Sequence, residues 1–576
     1  MLINNSKKLA LLSLILLGFL ASGSLTQATE LKYTTIVSDK DNQILFRSGG
    51  LEETSIFICQ IDELSCENIG STTPPVVSES FTNNDQQDIK IKNVKFDRTN
   101  ATRVLLSPDE KWLVYYDSAL ANKENSRKFV LLNLQDGVKK KTYELTGKVN
   151  YWDLLSEELR IFNFSPSGNK LMYLDDKNGY SVPYLVDLTK KQTKYLPGKQ
   201  VILKDYSVAD FIFLGDEVIY FSANRESKHQ WSLYRYNLVT KDLKKVADNV
   251  SYNQKMRLVS SGDKKKLLFM QVINNSSIPA LLDQATDKIS YFPALSANPK
   301  ITGYTEKEVT LGPADGGASK LGGVLLKPKN YSSTKSYPLI IWLHGGPYRE
   351  VALGYHSYLG YAVYDWLLGE MAKNGALVLK LDYRGSYGYG RKFAESITGQ
   401  VGKGDVSDVL TAQTELKKFY KISNTYLVGN SYGGYLALRT VVDPQASKKI
   451  AGVLSINGVT DWFVLLDKLE NSIFNVQFKG LLGEENSSLY YQADIAERVK
   501  NLTNQKIIVA QATSDKTVPP SQADYLAQIF GLKNKVMNLV KYPDEDHVFK
   551  KKSSLEDLCR QLASLSRIKA SCVWEQ

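Results

Sequence analysis

Histidine is scarce in this chain: His229, His344, His356 and His547 are the only four in 576 residues. Any chemistry that needs an imidazole must draw on these positions. Cysteine is as sparse, and none of the four stands in a catalytic motif, which argues against a thiol nucleophile. The net charge of +11 is spread over separate lysine runs at 139–141, 264–266 and 550–552. No zinc-finger or RNA-binding signature accompanies them, so they read as solvated faces, and nucleic acid is not an expected partner. No extended low-complexity tract occurs, and beyond the N-terminus no segment is long and apolar enough to span a bilayer.

The N-terminus has a separate job. Lys7 and Lys8 precede the apolar run 9–20, and small and polar residues follow through Ala28. That is the layout of a secretory signal peptide over 1–28, with cleavage after Gly23 or after Ala28; an uncleaved anchor is the alternative. Ser24 stands where a lipoprotein would carry its lipidated cysteine. The expectation is an exported protein, periplasmic or secreted, with no stable membrane span once the signal is removed. The cysteines agree with export. Cys59 lies near Cys66 and Cys559 near Cys572, so two local disulfides are expected, although three pairings are formally open.

At 576 residues the chain is too long for one core. Residues 29–300 read as short alternating strands behind polar turns. Ser107-Pro108-Asp109-Glu110-Lys111-Trp112 and Ser165-Pro166-Ser167-Gly168-Asn169-Lys170 are two copies of one phrase, with weaker copies at Ser38, Leu214 and Ser261. Copies 47 and 49 residues apart approach the length of a β-propeller blade. About 270 residues at ~45 per blade give about six blades, five to seven by this reckoning. A pair of β-sandwiches is the alternative architecture. From 301 to 576 the pattern changes. Short apolar runs at 337–343, 376–381, 425–428, 452–456, 507–510 and 537–540 alternate with helical patterns at 406–420, 435–442 and 521–530. This is the pattern of a doubly wound α/β domain with its chemistry at the C-terminal strand ends.

The strand ends carry the informative residues. Gly429-Asn430-Ser431-Tyr432-Gly433-Gly434 follows the run 425–428. A strand ending in Gly-x-Ser-x-Gly and turning into a helix sets its serine on a sharp elbow, with the hydroxyl exposed above the sheet. Asp515 follows the run 507–510, and His547 follows 537–540. Ser431, Asp515, His547 is the chain order of an α/β-hydrolase triad, and His547 is the only histidine downstream of the serine. The imidazole would take the serine proton, with Asp515 fixing its tautomer. Asp515 as a mere helix cap, and Asp544 or Asp546 as the partner of His547, are the competing assignments. His344-Gly345-Gly346-Pro347, after 337–343, is a glycine turn able to aim an N–H at a developing oxyanion, with the N–H of Tyr432 as the second donor.

With these residues in view, the chain resembles the prolyl oligopeptidase family of serine peptidases. The resemblance rests on His344-Gly345-Gly346-Pro347, on Asp382-Tyr383-Arg384-Gly385-Ser386 with Gly388-Tyr389-Gly390, on Gly429 to Tyr435, on Asp515-x-x-Val518-Pro519 and on Glu545-x-His547. It implies a propeller lid over an α/β-hydrolase site, cleavage of short peptides without metal or cofactor, and exclusion of folded proteins. The His-Gly-Gly-Pro form looks more like the acylaminoacyl-peptidase branch, which implies Gly346 with Tyr432 as oxyanion donors. Ala512-Thr513 departs from the family's His-Gly, and Asn430 and Asp546 replace small residues. Tyr435, Trp462 and Phe463 are candidate pocket walls, with ordinary core packing as the alternative. Glu157-Glu158 faintly resembles the paired glutamates with which the dipeptidyl-peptidase branch holds a free amino terminus; a solvated acidic loop is the alternative. The expected activity is peptide hydrolysis, exo or endo. An esterase or deacylase on the same scaffold, or a non-catalytic propeller that binds a partner, are the rival readings.

Overall fold

The computed structural model describes residues 33–574 except 41, 50–53, 73–100, 118–125, 135–138, 149–161, 191–197, 202–204, 252–255, 262–263, 274–275, 296–302, 314–319, 355, 357–358, 470–472 and 484–486. The signal-peptide expectation over 1–28 and the candidates Glu157 and Glu158 lie outside the described residues.

Each repeated turn phrase closes a hairpin in the same place. Ser107 Oγ accepts from the N–H of Trp112 at 2.9 Å, and Ser165 Oγ accepts from that of Lys170 at 3.2 Å. Both serines therefore make the same tight link between the first and second strands of an antiparallel meander. The five copies head five such meanders, beginning at Tyr33–Lys40, Ala101–Leu106, Phe162–Phe164, Val208–Phe213 and Arg257–Ser261. Each meander has four strands. The first and last are joined into one sheet by a parallel pairing of Tyr33 with Ser277. Among the described residues there are thus five such meanders.

The C-terminal sheet has eight strands: β1 (Tyr304–Pro313), β2 (Lys320–Pro328), β3 (Tyr337–Leu343), β4 (Leu377–Asp382), β5 (Ile422–Asn430), β6 (Gly452–Ile456), β7 (Lys506–Ala512) and β8 (Asn538–Tyr542). Their spatial order is β1-β2-β4-β3-β5-β6-β7-β8. From β4 to β8 every pairing is parallel, but β1 and β2 are antiparallel to their neighbours. The six runs read as parallel strands all lie in the parallel part, and the antiparallel β1 and β2 are an addition the sequence reading did not name. The β1–β2 hairpin carries Glu306, Lys307 and Glu308 within its first strand, so it lacks the continuous apolar run that marks a buried strand.

Nine helices accompany this sheet among the described residues: α1 (Leu359–Lys373), α2 (Arg391–Glu395), α3 (Gly404–Phe419), α4 (Tyr432–Val441), α5 (Trp462–Lys468), α6 (Ile473–Leu482), α7 (Ser488–Ala493), α8 (Ser521–Leu532) and α9 (Lys552–Ser566). None is long and apolar enough to cross a membrane. Alternation along the strands builds two cores. Leu339, Ile341 and Leu343 point into one with α3 and α4, while Ile340 and Trp342 point into the other with α1 and α9. Both expected disulfides are present. Cys59 faces Cys66 across neighbouring strands, and Cys559 of α9 binds Cys572, fastening the following segment to that helix.

One ion pair fixes the glycine-rich turn after β4. Arg384 donates through Nε and Nη2 to the two oxygens of Asp408 on α3, at 2.8 and 2.7 Å, and its backbone N–H adds a third bond at 2.8 Å. Both side chains are buried, so the pair is geometrically strict. Arg384→Ala strips the guanidinium from a carboxylate with no solvent access, and an expected loss of about 3–5 kcal/mol is to be read in urea unfolding.

Candidate active site

Ser431 lies between the last residue of β5 and the first of α4, with φ 58° and ψ −123°. Positive φ at a residue with a Cβ is strained, at a cost of about 1–3 kcal/mol, and needs surrounding structure to hold it. The hold is visible. The N–H of Ser431 donates to the carbonyl of Ile456 at the end of β6, and the carbonyl of Ser431 accepts from Tyr435 one turn into α4. The glycines make the approach possible. A Cβ on Gly433 would sit 1.9 Å from the carbonyl oxygen of Leu343, and one on Gly429 would sit 2.3 Å from the carbonyl of Gly433. A Cβ on Gly345 would lie 3.2 Å from the Cβ of Ser431, so the His-Gly-Gly-Pro turn rests against the elbow.

Asp515 and His547 meet at the neighbouring strand ends. Asp515 Oδ2 is 2.7 Å from His547 Nδ1, while Oδ1 accepts from the N–H groups of Thr517 and Val518, both at 2.8 Å. The other acidic candidates face elsewhere. Asp546 accepts from the backbone N–H of His547 at 2.8 Å, and Asp544 is exposed beside Lys551. The Ala512-Thr513 departure also has a visible part. Thr513 Oγ1 accepts from the N–H of Asp544 at 3.2 Å, and Ser514 N–H donates to the carbonyl of Glu545 at 2.9 Å, so the aspartate and histidine loops are tied directly. The Glu545 carboxylate accepts from the N–H groups of Lys550 and Lys551 and closes the turn behind His547.

Sequence reasoning missed Asn457. This buried residue follows β6 with φ 47° and spans three strand ends. Its N–H donates to Ala510, its Oδ1 accepts from Ala512 N–H at 2.8 Å, and its Nδ2 donates to the carbonyls of Asp546 and His547 at 3.3 and 3.0 Å. The asparagine preceding Gly458 in a strand-to-helix turn was the available signal: a short amide side chain tolerates left-handed backbone and bonds locally.

The turn after β3 is equally fixed. His344 stacks on Tyr383 with ring centroids 4.5 Å apart, and the Tyr383 hydroxyl donates to the His344 carbonyl at 2.7 Å. Gly346 has φ 123°. Tyr432 opens α4, and its hydroxyl donates to Asp405 Oδ2 at 2.7 Å. Burial pushes Asp405 up to about 6, against the lowering effect of bonds from Tyr432, Gly402 and Val406. Of the candidate walls, Tyr435 and Trp462 lie inside an aromatic cluster with Tyr432 and Phe478. Tyr435 donates its hydroxyl to the carbonyl of Ala493 at 2.9 Å. Phe463 is 40% exposed and stacked on Tyr490. Among the described residues no group of His, Cys, Asp and Glu is arranged to hold a metal ion.

Asn457→Ala removes both donors to the histidine loop. Because misplacement by about 1 Å can cost about 100-fold in rate, labelling of Ser431 by a fluorophosphonate is expected to slow by at least about ten-fold, with the protein still folded.

Residues 362–566, which include Ser431, Asp515 and His547, match the prolyl oligopeptidase family. A probable dipeptidyl-aminopeptidase B of Aspergillus oryzae is 24% identical over 348 residues, 57% of this chain and 36% of the relative. A venom dipeptidyl peptidase 4 of Vespula vulgaris is 27% identical over 228 residues, 39% of this chain and 28% of the relative. The chain thus spans about a third of the length of the curated relatives it matches. Among solved structures, a puromycin hydrolase aligns with a TM-score of 0.67 at 16% identity, covering 93% of this chain and 79% of that one. Porphyromonas gingivalis dipeptidyl peptidase 4 aligns with a TM-score of 0.63 at 14% identity, covering 94% and 71%. The structural likenesses are likenesses of fold. Residues 362–566 form a prolyl oligopeptidase family domain.

Proposed function

We propose that the protein is an exported serine peptidase that hydrolyses short peptides through Ser431, His547 and Asp515, without metal or cofactor. The observation that carries this reading is the 2.7 Å bond between Asp515 and His547, which follow β7 and β8 on the same edge of the parallel sheet as the strained serine elbow after β5. Ser431 Oγ attacks the scissile carbonyl as His547 takes its proton; the carbonyl π pair moves to oxygen. Backbone N–H groups of Tyr432 and Gly346 stabilise that oxyanion. Collapse breaks the C–N bond, and His547 returns the proton to the departing amine, leaving an acyl-enzyme. Water then repeats the sequence and releases the acid. Asp515 keeps Nδ1 protonated throughout and stabilises the imidazolium.

The five meanders, with first and last joined, support a propeller that limits substrate size. The two disulfides support export. The relatives' dipeptidyl-peptidase names make release of dipeptides from a free amino terminus the mode to test first. A mixed peptide library with free or acetylated amino termini, digested by mature protein and read by mass spectrometry, tests the reading with Ser431→Ala as control. Cleavage by the wild type alone is expected, and its dependence on the free amine assigns the mode. No cleavage by either protein overturns the peptidase. Asp515→Asn is expected to lower kcat by roughly 10⁴-fold, because the imidazole is left in the wrong tautomer.

A further inference from the structure

One buried histidine of the N-terminal meanders reaches the C-terminal sheet. His229 lies between the strands Val218–Ser227 and Gln230–Asn237 and is 5% exposed. Its Nδ1 is 2.7 Å from Glu308 Oε1 on β1. Its Nε2 is 3.0 Å from Asp382 Oδ2 at the end of β4 and 2.8 Å from the hydroxyl oxygen of Tyr389. The Tyr389 hydroxyl also lies 2.9 Å from Asp382 Oδ2, and whichever way its proton points the Asp382 carboxylate oxygen faces Nε2 as an acceptor. Both ring nitrogens therefore face oxygens that accept. A neutral imidazole has one N–H and leaves one of these contacts as two facing lone pairs; only the imidazolium satisfies both.

The same residues run to the turn beside Ser431. The second oxygen of Asp382 accepts the N–H of Val351 at 2.9 Å, and the backbone carbonyl of His229 accepts that of Leu353 at 2.9 Å. His344 Nε2 lies 3.5 Å from Asp382. Flanking contacts seal the junction: Trp231 Nε1 donates to Glu350 at 2.6 Å, and Asn224 Nδ2 to the carbonyl of Gly388 at 3.0 Å. Gly322 is shaped to it as well, since a Cβ there would lie 1.9 Å from the Tyr389 hydroxyl.

We propose that His229 is a positioning residue: its imidazolium draws Glu308, Asp382 and Tyr389 together across the junction and so holds the turn 344–353 against the serine elbow. That this turn carries an oxyanion donor rests on the function proposed above; the clamp itself does not. The charged and titratable groups around His229 are Glu308, Asp382, Glu350, Lys228 and Tyr389, with His344 beyond Asp382. Burial alone lowers His229, but hydrogen bonds and charges of Asp382 and Glu308 raise it to about 9. Those two carboxylates are raised by burial and brought below their usual range by His229. Burial pushes Glu350 up to about 8 and lowers Lys228. The histidine is raised above its free value of about 6.5, so the clamp is fully present below that pH and is lost as pH rises through about 9.

Two readouts on the full mature chain test it. Hydrogen exchange of 344–353 is compared with that of strand Lys506–Ala512, and fluorophosphonate labelling of Ser431 is followed from about pH 6 to about pH 10. In His229→Gln the turn is expected to exchange about ten-fold faster or more while Lys506–Ala512 is unchanged. Labelling is expected to slow in parallel. The wild type is expected to reach the variant's behaviour as pH passes about 9, and Glu350→Gln to keep that pH dependence. Unchanged exchange at 344–353 in folded His229→Gln overturns the clamp. Should that variant not fold, a ring titration of wild-type His229 decides: a neutral imidazole at about pH 7 overturns it equally. Absence of labelling in the wild type sinks Ser431 as nucleophile and leaves the exchange result to judge the clamp.

Discussion

The approach of α4 to the carbonyl of Leu343, closer than any Cβ at Gly433 would allow, is the constraint on which the rest of the site depends. It brings a helix N-terminus over the gap between β3 and β5 and forces the chain to reverse at Ser431 in a left-handed conformation. Helix termini leave their first N–H groups without intrahelical partners. A tight strand-to-helix turn therefore delivers both a projecting hydroxyl and free amide donors at one point.

The aiming is distributed across adjacent strand ends. β5, β6, β7 and β8 are consecutive and parallel, and each contributes one residue: Ser431, Asn457, Asp515 and His547. Asn457 ties the ends of β6 and β7 to the histidine loop, using a backbone N–H, a side-chain oxygen and a side-chain nitrogen on different segments. Removing such a bridge changes separation and angle together, which is how buried polar networks come to matter more than their bond count.

Much of this was legible in the residues. The runs at 337–343 and 452–456 coincide with β3 and β6, because strands buried on both faces read as unbroken apolar stretches. The turn phrases at Ser107 and Ser165 located hairpins because a serine two residues before Asp or Ser caps its own turn. The disulfide partners followed from proximity in sequence. Less visible was whatever depends on long-range placement. β1 is polar along Glu306-Lys307-Glu308, and Asn457 and His229 act through partners far away in the chain. Tyr435 and Trp462 are aromatic residues near Ser431 in sequence whose burial no periodicity could have graded.

The backbone at Ser431 also restricts what can stand there. Left-handed φ is tolerated poorly by β-branched side chains, whose second Cβ substituent crowds the neighbouring peptide. Threonine, though it carries the same hydroxyl, is thereby disfavoured, while serine, cysteine, alanine and glycine fit the turn. The elbow thus weighs against threonine at this position by conformation alone, before any chemistry is tried.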